Sequence, residues 1–222
     1  MNEVNLPSLH DSALTPTEAV ALQRHLAPEV TETPLPEIRT VAGIDVSVRD
    51  NAVRAAIVVL SLEGLDLIES SVWEGPVAFP YVPGLLSFRE LPAIWPALQG
   101  LRALPDLFVL DAQGRAPPRR FGLACHLRVL LDRPAIGVAK TRLVGQAAQP
   151  GLERGSCTDL VHQEELIGQV VRTRANVRPV YVSVGHRCTL GEAVALAMRT
   201  ATRFRLPMPT HLAHRLSKYG RI

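Results

Sequence analysis

Three carboxylates stand out by their surroundings. Asp45 interrupts the apolar run Val41-Ala42-Gly43-Ile44-Asp45-Val46, Asp111 closes Leu107-Phe108-Val109-Leu110-Asp111, and Glu90 ends Leu86-Ser87-Phe88-Arg89-Glu90. Apolar strands carry their side chains toward a core, where a carboxylate is costly unless something positive meets it. The simplest partner for several converging carboxylates is a hard divalent cation such as Mg²⁺, with Mn²⁺ as a substitute. Two such ions about 3.5–4 Å apart can stabilise the attacking and leaving oxygens of a phosphodiester displacement. Asp45 alternates with Ile44 and Val46, so its side chain leaves the opposite face of the strand. Asp111 stands at a strand's carboxyl end, where open α/β sheets place their sites. Each acid alone could cap a turn or pair with an arginine; the three together point to a metal.

Between Asp45 and Asp111 lies Phe79-Pro80-Tyr81-Val82-Pro83-Gly84, running on toward Glu90. Pro80 and Pro83 fix their own φ and push Phe79 and Val82 into extended geometry, and Gly84 supplies backbone freedom. The loop is therefore stiff before anything binds and holds Tyr81 out as a wedge able to stack on a base or fill the gap left by one. A proline-rich turn with a packed tyrosine is the plainer alternative. Lys140 ends the run Pro134–Ala139 and could meet a phosphate as a point charge. Arg119 and Arg120 could bind backbone phosphates or simply be exposed. His214 could ligate metal or orient water, or lie on a helix surface. His186 and His126 read as packing residues.

The elements that must position these groups are legible in outline. Thr15-Pro16-Thr17-Glu18 is a capped helix start, and that helix runs to about His25. Apolar runs at about 38–48, 53–62 and 65–74, separated by turn-like Arg49-Asp50-Asn51 and Glu63-Gly64, predict an antiparallel meander. A helical segment follows over 85–104, which Pro92 and Pro96 should kink or interrupt. Then come a strand at 106–111, a helix at about 121–132, a strand at 134–139, short strands at 170–172 and 180–183, a helix at 189–202, and another from His211. This is a mixed α/β sheet with helices on its faces. The 222 residues suit a single domain, with 1–14 as a loose N-terminal arm. Lys+Arg 24 against Asp+Glu 21 leaves +3, a mild excess compatible with a polyanion. Three scattered cysteines fit neither a disulfide framework nor a zinc site, so a cytoplasmic setting is expected. No apolar segment approaches the length of a membrane span.

Taken together the motifs resemble the endonuclease V family, nearly collinearly from about Thr40 to His214. The resemblance rests on Ala42–Val46, Phe79–Gly84, Leu86–Glu90, Ile136-Gly137-Val138-Ala139-Lys140, Gly185-His186-Arg187 and Arg205-Leu206-Pro207. It implies a ribonuclease H-like fold with helices on both faces of a mixed sheet. It implies Asp45, Glu90 and Asp111 as Mg²⁺ ligands, His214 completing the catalytic site, and Lys140 near the scissile phosphate. It implies Tyr81 as the wedge and a hypoxanthine pocket at Gly84, Leu86, Ala112, Gly122 and Gly137, with Pro80 and Arg119 also at the substrate. The expected partner is DNA carrying deoxyinosine or another deaminated base, or inosine-containing RNA. The protein is expected to be a monomer with no membrane attachment. The implied reaction cuts the second phosphodiester bond 3′ to the lesion, leaving a 3′-hydroxyl and a 5′-phosphate for DNA repair.

The chain departs from the family after its third acid. The family run is Asp-Gly-x-Gly-x-x-His-Pro-Arg; here Ala112 and Pro117 replace the glycine and the histidine. Neither change removes a metal ligand, so activity with altered efficiency or base preference is expected. A non-catalytic or impaired binder of inosine-containing nucleic acid is the alternative from another class. Retention of three mutually repelling acids argues against it.

Overall fold

The computed structural model describes residues 4, 6, 7, 9, 14–117 and 119–222. Its centre is one eight-stranded sheet in the order β3-β2-β1-β4-β5-β8-β7-β6. The strands are β1 (Thr40–Arg49), β2 (Ala52–Ser61), β3 (Leu67–Pro76), β4 (Leu107–Leu110), β5 (Ala135–Ala139), β6 (Cys157–His162), β7 (Glu165–Val171) and β8 (Val180–His186). The first three form the antiparallel meander expected of their alternating runs. β1, β4 and β5 are parallel neighbours, and β8, β7 and β6 continue the sheet antiparallel.

The helices are α1 (Pro16–Leu26), α2 (Leu86–Gln99), α3 (Leu123–Leu131), α4 (Leu190–Thr200) and α5 (Met208–Tyr219). Two cores lie on opposite sides of the sheet. Ala42, Ile44, Phe108 and Leu110 pack with α2 and α3, whereas Val41, Leu107, Val109 and Val138 pack with α4 and α5. Alternate residues of each central strand thus feed different cores. Of the N-terminal arm, Val4, Leu6 and Leu9 are partly buried against the first core; residues 1–3, 5, 8 and 10–13 lie outside the described set.

Four local differences from expectation have physical causes. α2 runs unbroken through Pro92 and Pro96. Leu91, Ala93, Ile94, Trp95, Ala97 and Leu98 are all buried along it, at about 1.5–3 kcal/mol for each larger side chain. That gain exceeds what two lost backbone bonds cost. β6 is an added strand at the sheet edge, where burial runs exposed–intermediate–exposed and leaves little apolar signal. β7 is longer than its apolar tail because it pairs on both sides. α5 begins at Met208 because Pro209, lacking an N–H, sits comfortably in a first turn. Elsewhere, the start of α1 is as read: Thr15 Oγ accepts from the Glu18 N–H at 3.3 Å, and the Glu18 carboxylate accepts from the Thr15 N–H at 2.8 Å.

Candidate active site

The pairing of β1 with β4 brings the two aspartates together. In the parallel register Ile44 lies beside Leu110, so Asp45 and Asp111 are the next residues on adjacent strands, where the ladder ends. Ile44 belongs to the α2–α3 core, which sends Asp45 to the side of α5. There α5 grips it with two residues one turn apart. The Ser217 hydroxyl donates to Asp45 Oδ2 at 2.5 Å, and His214 Nδ1 stands 3.3 Å from Asp45 Oδ1. α5 can lie this close because Gly43 has no side chain: a Cβ there would sit 2.0 Å from the Pro209 carbonyl carbon. Lys140, just past β5, closes an ion pair with Asp111. Glu90 comes from the second turn of α2, and with Asp45, Asp111, Ala112 and Leu123 it lines a cavity of about 50 Å³.

The electrostatics of this cavity are unbalanced. Burial, then the facing charge of Asp45, then that of Asp111 push the Glu90 carboxyl up from 4.5 to about 8, with Arg89 opposing weakly. Burial also raises Asp111, although its hydrogen bond and charge contact with Lys140 pull the other way. Three carboxylate-bearing residues around one small cavity, offset only in part by Lys140 and Arg89, are the donor chemistry of a hard divalent ion. Among the described residues no three His, Cys, Asp or Glu side chains already form a set that could hold a metal. Ser217 bonds Asp45 Oδ2, while His214 faces Asp45 Oδ1 and Lys140 pairs with Asp111, so an ion would take the places of the last two contacts.

Beside the acids opens a larger pocket of about 460 Å³. Tyr81, Gly84, Leu86, Ala112, Gly122 and Lys140 all border it, as does Asp111, so pocket and acids share a wall. The wedge loop is built as its prolines suggest. Phe79 is buried against Ala19, Leu85 and Phe88, while Tyr81 is 69% exposed with the Arg89 guanidinium 5.8 Å from its ring. Gly84 has φ +82°, and the Leu85 N–H donates to the Val82 carbonyl at 2.9 Å.

Three residues expected at the substrate do not line this pocket. Gly137 does not line the pocket but lies beneath it, where a Cβ would meet the Ala112 carbonyl oxygen at 2.5 Å. Its role is to let the 112–114 backbone cross β5. Pro80 is exposed in the loop and outside the pocket wall. Arg119 turns inward: its Nη2 donates to the Gly84 carbonyl at 2.8 Å and its Nε to Gln23 Oε1 at 2.5 Å.

Gln23, Ser217 and Phe121 were missed by sequence reasoning. Gln23, 1% exposed, donates from Nε2 to the carbonyls of Gly84 and Phe121 at 3.0 and 3.1 Å, tying α1 to both walls of the pocket. A faint signal existed, since Gln23 follows buried Ala19 by one helical turn. Ser217 likewise follows His214 by three residues on α5, a neighbour on the same face.

Comparison with known proteins agrees across the chain. The family model for endonuclease V matches residues 22–215. The endonuclease V of Dehalococcoides mccartyi is 46% identical over 214 residues, 95% of this chain and 96% of that protein. The crystal structure of endonuclease V from Streptomyces avermitilis superposes with a TM-score of 0.90 at 40% identity, covering 99% of this chain and 97% of that one. A Ciona intestinalis endonuclease V, in complex with a 23mer DNA containing an inosine followed by a ribo-adenosine, superposes with a TM-score of 0.83 at 27% identity, covering 93% and 98%.

Proposed function

The chain belongs to the endonuclease V family, and from that premise we propose that it is an inosine-recognising, Mg²⁺-dependent endonuclease that hydrolyses the second phosphodiester bond 3′ to the lesion. The observation that carries the reading is the shared wall: Asp111 and Ala112 border both the acid-lined cavity and the pocket under Tyr81. A base held in that pocket would keep its own strand beside the acids.

In this reading Tyr81, preset by its proline loop, occupies the gap left when hypoxanthine rotates out of the stack. Gly84, Leu86, Ala112 and Gly122 receive the base, largely through main chain, which favours shape and hydrogen bonding over charge. Lys140 leaves Asp111 to meet the phosphate next to the bond being cut, keeping its charge where negative charge develops. Asp45, Glu90 and Asp111 would hold the divalent cation, with Mn²⁺ as a substitute and His214 completing the set. When bound, the ion supplies Lewis-acid stabilisation and a water of lowered pKa. Ser217, donating to Asp45 Oδ2, would hold that carboxylate in place while Oδ1 gives up His214 for the ion. The products are a 3′-hydroxyl and a 5′-phosphate, a nick that leaves the base in place for later repair steps. The partner is DNA with deoxyinosine, or RNA with inosine, acted on by a cytoplasmic monomer. Among the described residues no helix is long and apolar enough to cross a membrane.

The test uses matched labelled strands carrying one inosine, as DNA and as RNA, with Mg²⁺ and an Asp45→Ala control. A metal-dependent nick one nucleotide beyond inosine, absent in the control, is expected. Tight binding of the inosine strand with no nick by the wild type would overturn the nuclease reading in favour of a binder.

A further inference from the structure

A second, longer groove of about 790 Å³ opens from the other side of the acids. Asp45, Lys140 and His214 form its inner end, and it runs out between the β1–β2 hairpin and the end of α5. Lys140 also borders the base pocket, so the two hollows meet at the reacting groups. Beyond them the groove is lined by Val48, Arg49, Arg54, Lys218 and Tyr219. Tyr219 is 60% exposed, and the Lys218 ammonium lies 5.4 Å from its ring centroid.

We propose that this groove holds the nucleic-acid strand on the 3′ side of the cleaved bond, with Tyr219 stacking on a base and Lys218 and Arg49 meeting phosphates. The assignment rests on the nuclease reading, and it follows from what a polymeric substrate must do. A strand that leaves its lesion base in the pocket and passes the acids continues away from the pocket, and this groove is the hollow that continues there. Its reach fits. Asp45 to Arg49 is four residues of extended strand, about 13 Å, which matches about four nucleotides at the ~3.4 Å rise of one B-DNA strand. Its chemistry fits as well, since an exposed aromatic beside cations is how single strands are tracked without reading sequence. Two acids also face the groove: Asp50 pairs with Arg49 at 3.3 Å and Glu74 with Arg54 at 2.6 Å. The first pair is fully solvated and weak enough for a phosphate to replace Asp50. Arg54, half-exposed and paired more tightly, serves as wall rather than ligand.

The experiment compares wild type with Tyr219→Ala and Lys218→Ala on inosine strands that end two, four or eight nucleotides beyond the lesion on its 3′ side. Both substitutions are at exposed positions, and melting curves check that each variant folds. Nicking is read as kcat/KM and binding separately by fluorescence anisotropy in EDTA. For the wild type, binding should strengthen from two to four nucleotides and level off at about five, where four lie 3′ of the cleaved bond. Tyr219→Ala should weaken binding of the longest strand about tenfold and lose that dependence on length. Lys218→Ala should lower the slope of log affinity against log salt by about one. Equal binding of long and short strands by wild type, or equal binding of long strands by variants and wild type, overturns the groove assignment whatever the nicking shows. Should the wild type bind in the expected length-dependent way yet nick nothing, the nuclease reading fails while the groove stands.

Discussion

Glu90→Gln should make the metal-free protein more stable while removing its activity. The carboxyl of Glu90 ordinarily ionises at 4.5 and here is pushed to about 8 by burial and by the facing charges of Asp45 and Asp111. A folded-state pKa raised in this way means that stability is full below 4.5 and is lost as pH rises toward 8, after which the loss is constant. At about 1.36 kcal/mol per pH unit the ceiling is about 5 kcal/mol. Glu90 keeps some solvent exposure and water can enter beside it, so about 2–3 kcal/mol is expected, or roughly 4–12 °C in Tm for a chain of this size. Glutamine keeps the shape and removes the ionisation. In EDTA the variant and wild type should therefore melt together near pH 4.5 and diverge by that amount at pH 8.5. Added Mg²⁺ should raise the wild-type Tm at pH 8.5 and narrow the gap, because an ion bound only by the folded state stabilises it. A variant that melts lower than wild type at pH 8.5, or by the same margin at every pH, would refute the claim that burial and the facing acids disfavour ionised Glu90.

Three further expectations follow from contacts around the same centre. Ser217→Ala removes the buried hydroxyl that donates to Asp45; the single-turnover nicking rate should fall about tenfold, consistent with ~1.5–3 kcal/mol for a bond to a charged acceptor, and a change within twofold would show that Asp45 needs no such support. Gln23→Ala strips the Phe121 carbonyl of its donor and leaves that of Gly84 to Arg119 alone. It should destabilise by about 1–3 kcal/mol and raise KM for inosine strands more than it lowers kcat; an unchanged melting curve would refute the brace. Ala112→Gly with Pro117→His restores the family residues at two positions bordering the base pocket, and should change the inosine-strand cleavage rate or the preference among deaminated bases. Equal rates and preference would show the two departures to be neutral.

How legible was this centre in the chain itself? Asp45 and Asp111 could be singled out because one interrupts a short apolar run and the other closes one, and a charge in such a place is unfavourable enough to demand an explanation. Tyr81 could be singled out because the two prolines and a glycine around it act within six residues. Local rules of that kind also delivered the capped starts of α1 and α4 and the meander β1–β3, whose turn and alternation signals are sequence neighbours.

Adjacency was a different matter. That Asp45 neighbours Asp111 depends on the parallel pairing of Ile44 with Leu110, which no local pattern encodes. Ser217 reaches Asp45 across 172 positions, and Gln23 reaches Phe121 across 98. Such bonds exist only after both cores have formed, and their residues carry ordinary polar side chains that read as solvent-facing until the burial of their neighbours is known. Arg119 shows the same limit from the other side. Its sequence marks a cation beside a proline turn, free to meet a phosphate, and only tertiary packing reveals the two inward acceptors that hold it. The chain thus declared its reactive groups through the cost of placing charge in apolar sequence, while long-range packing decided which groups meet, which are braces, and how the pocket and groove join.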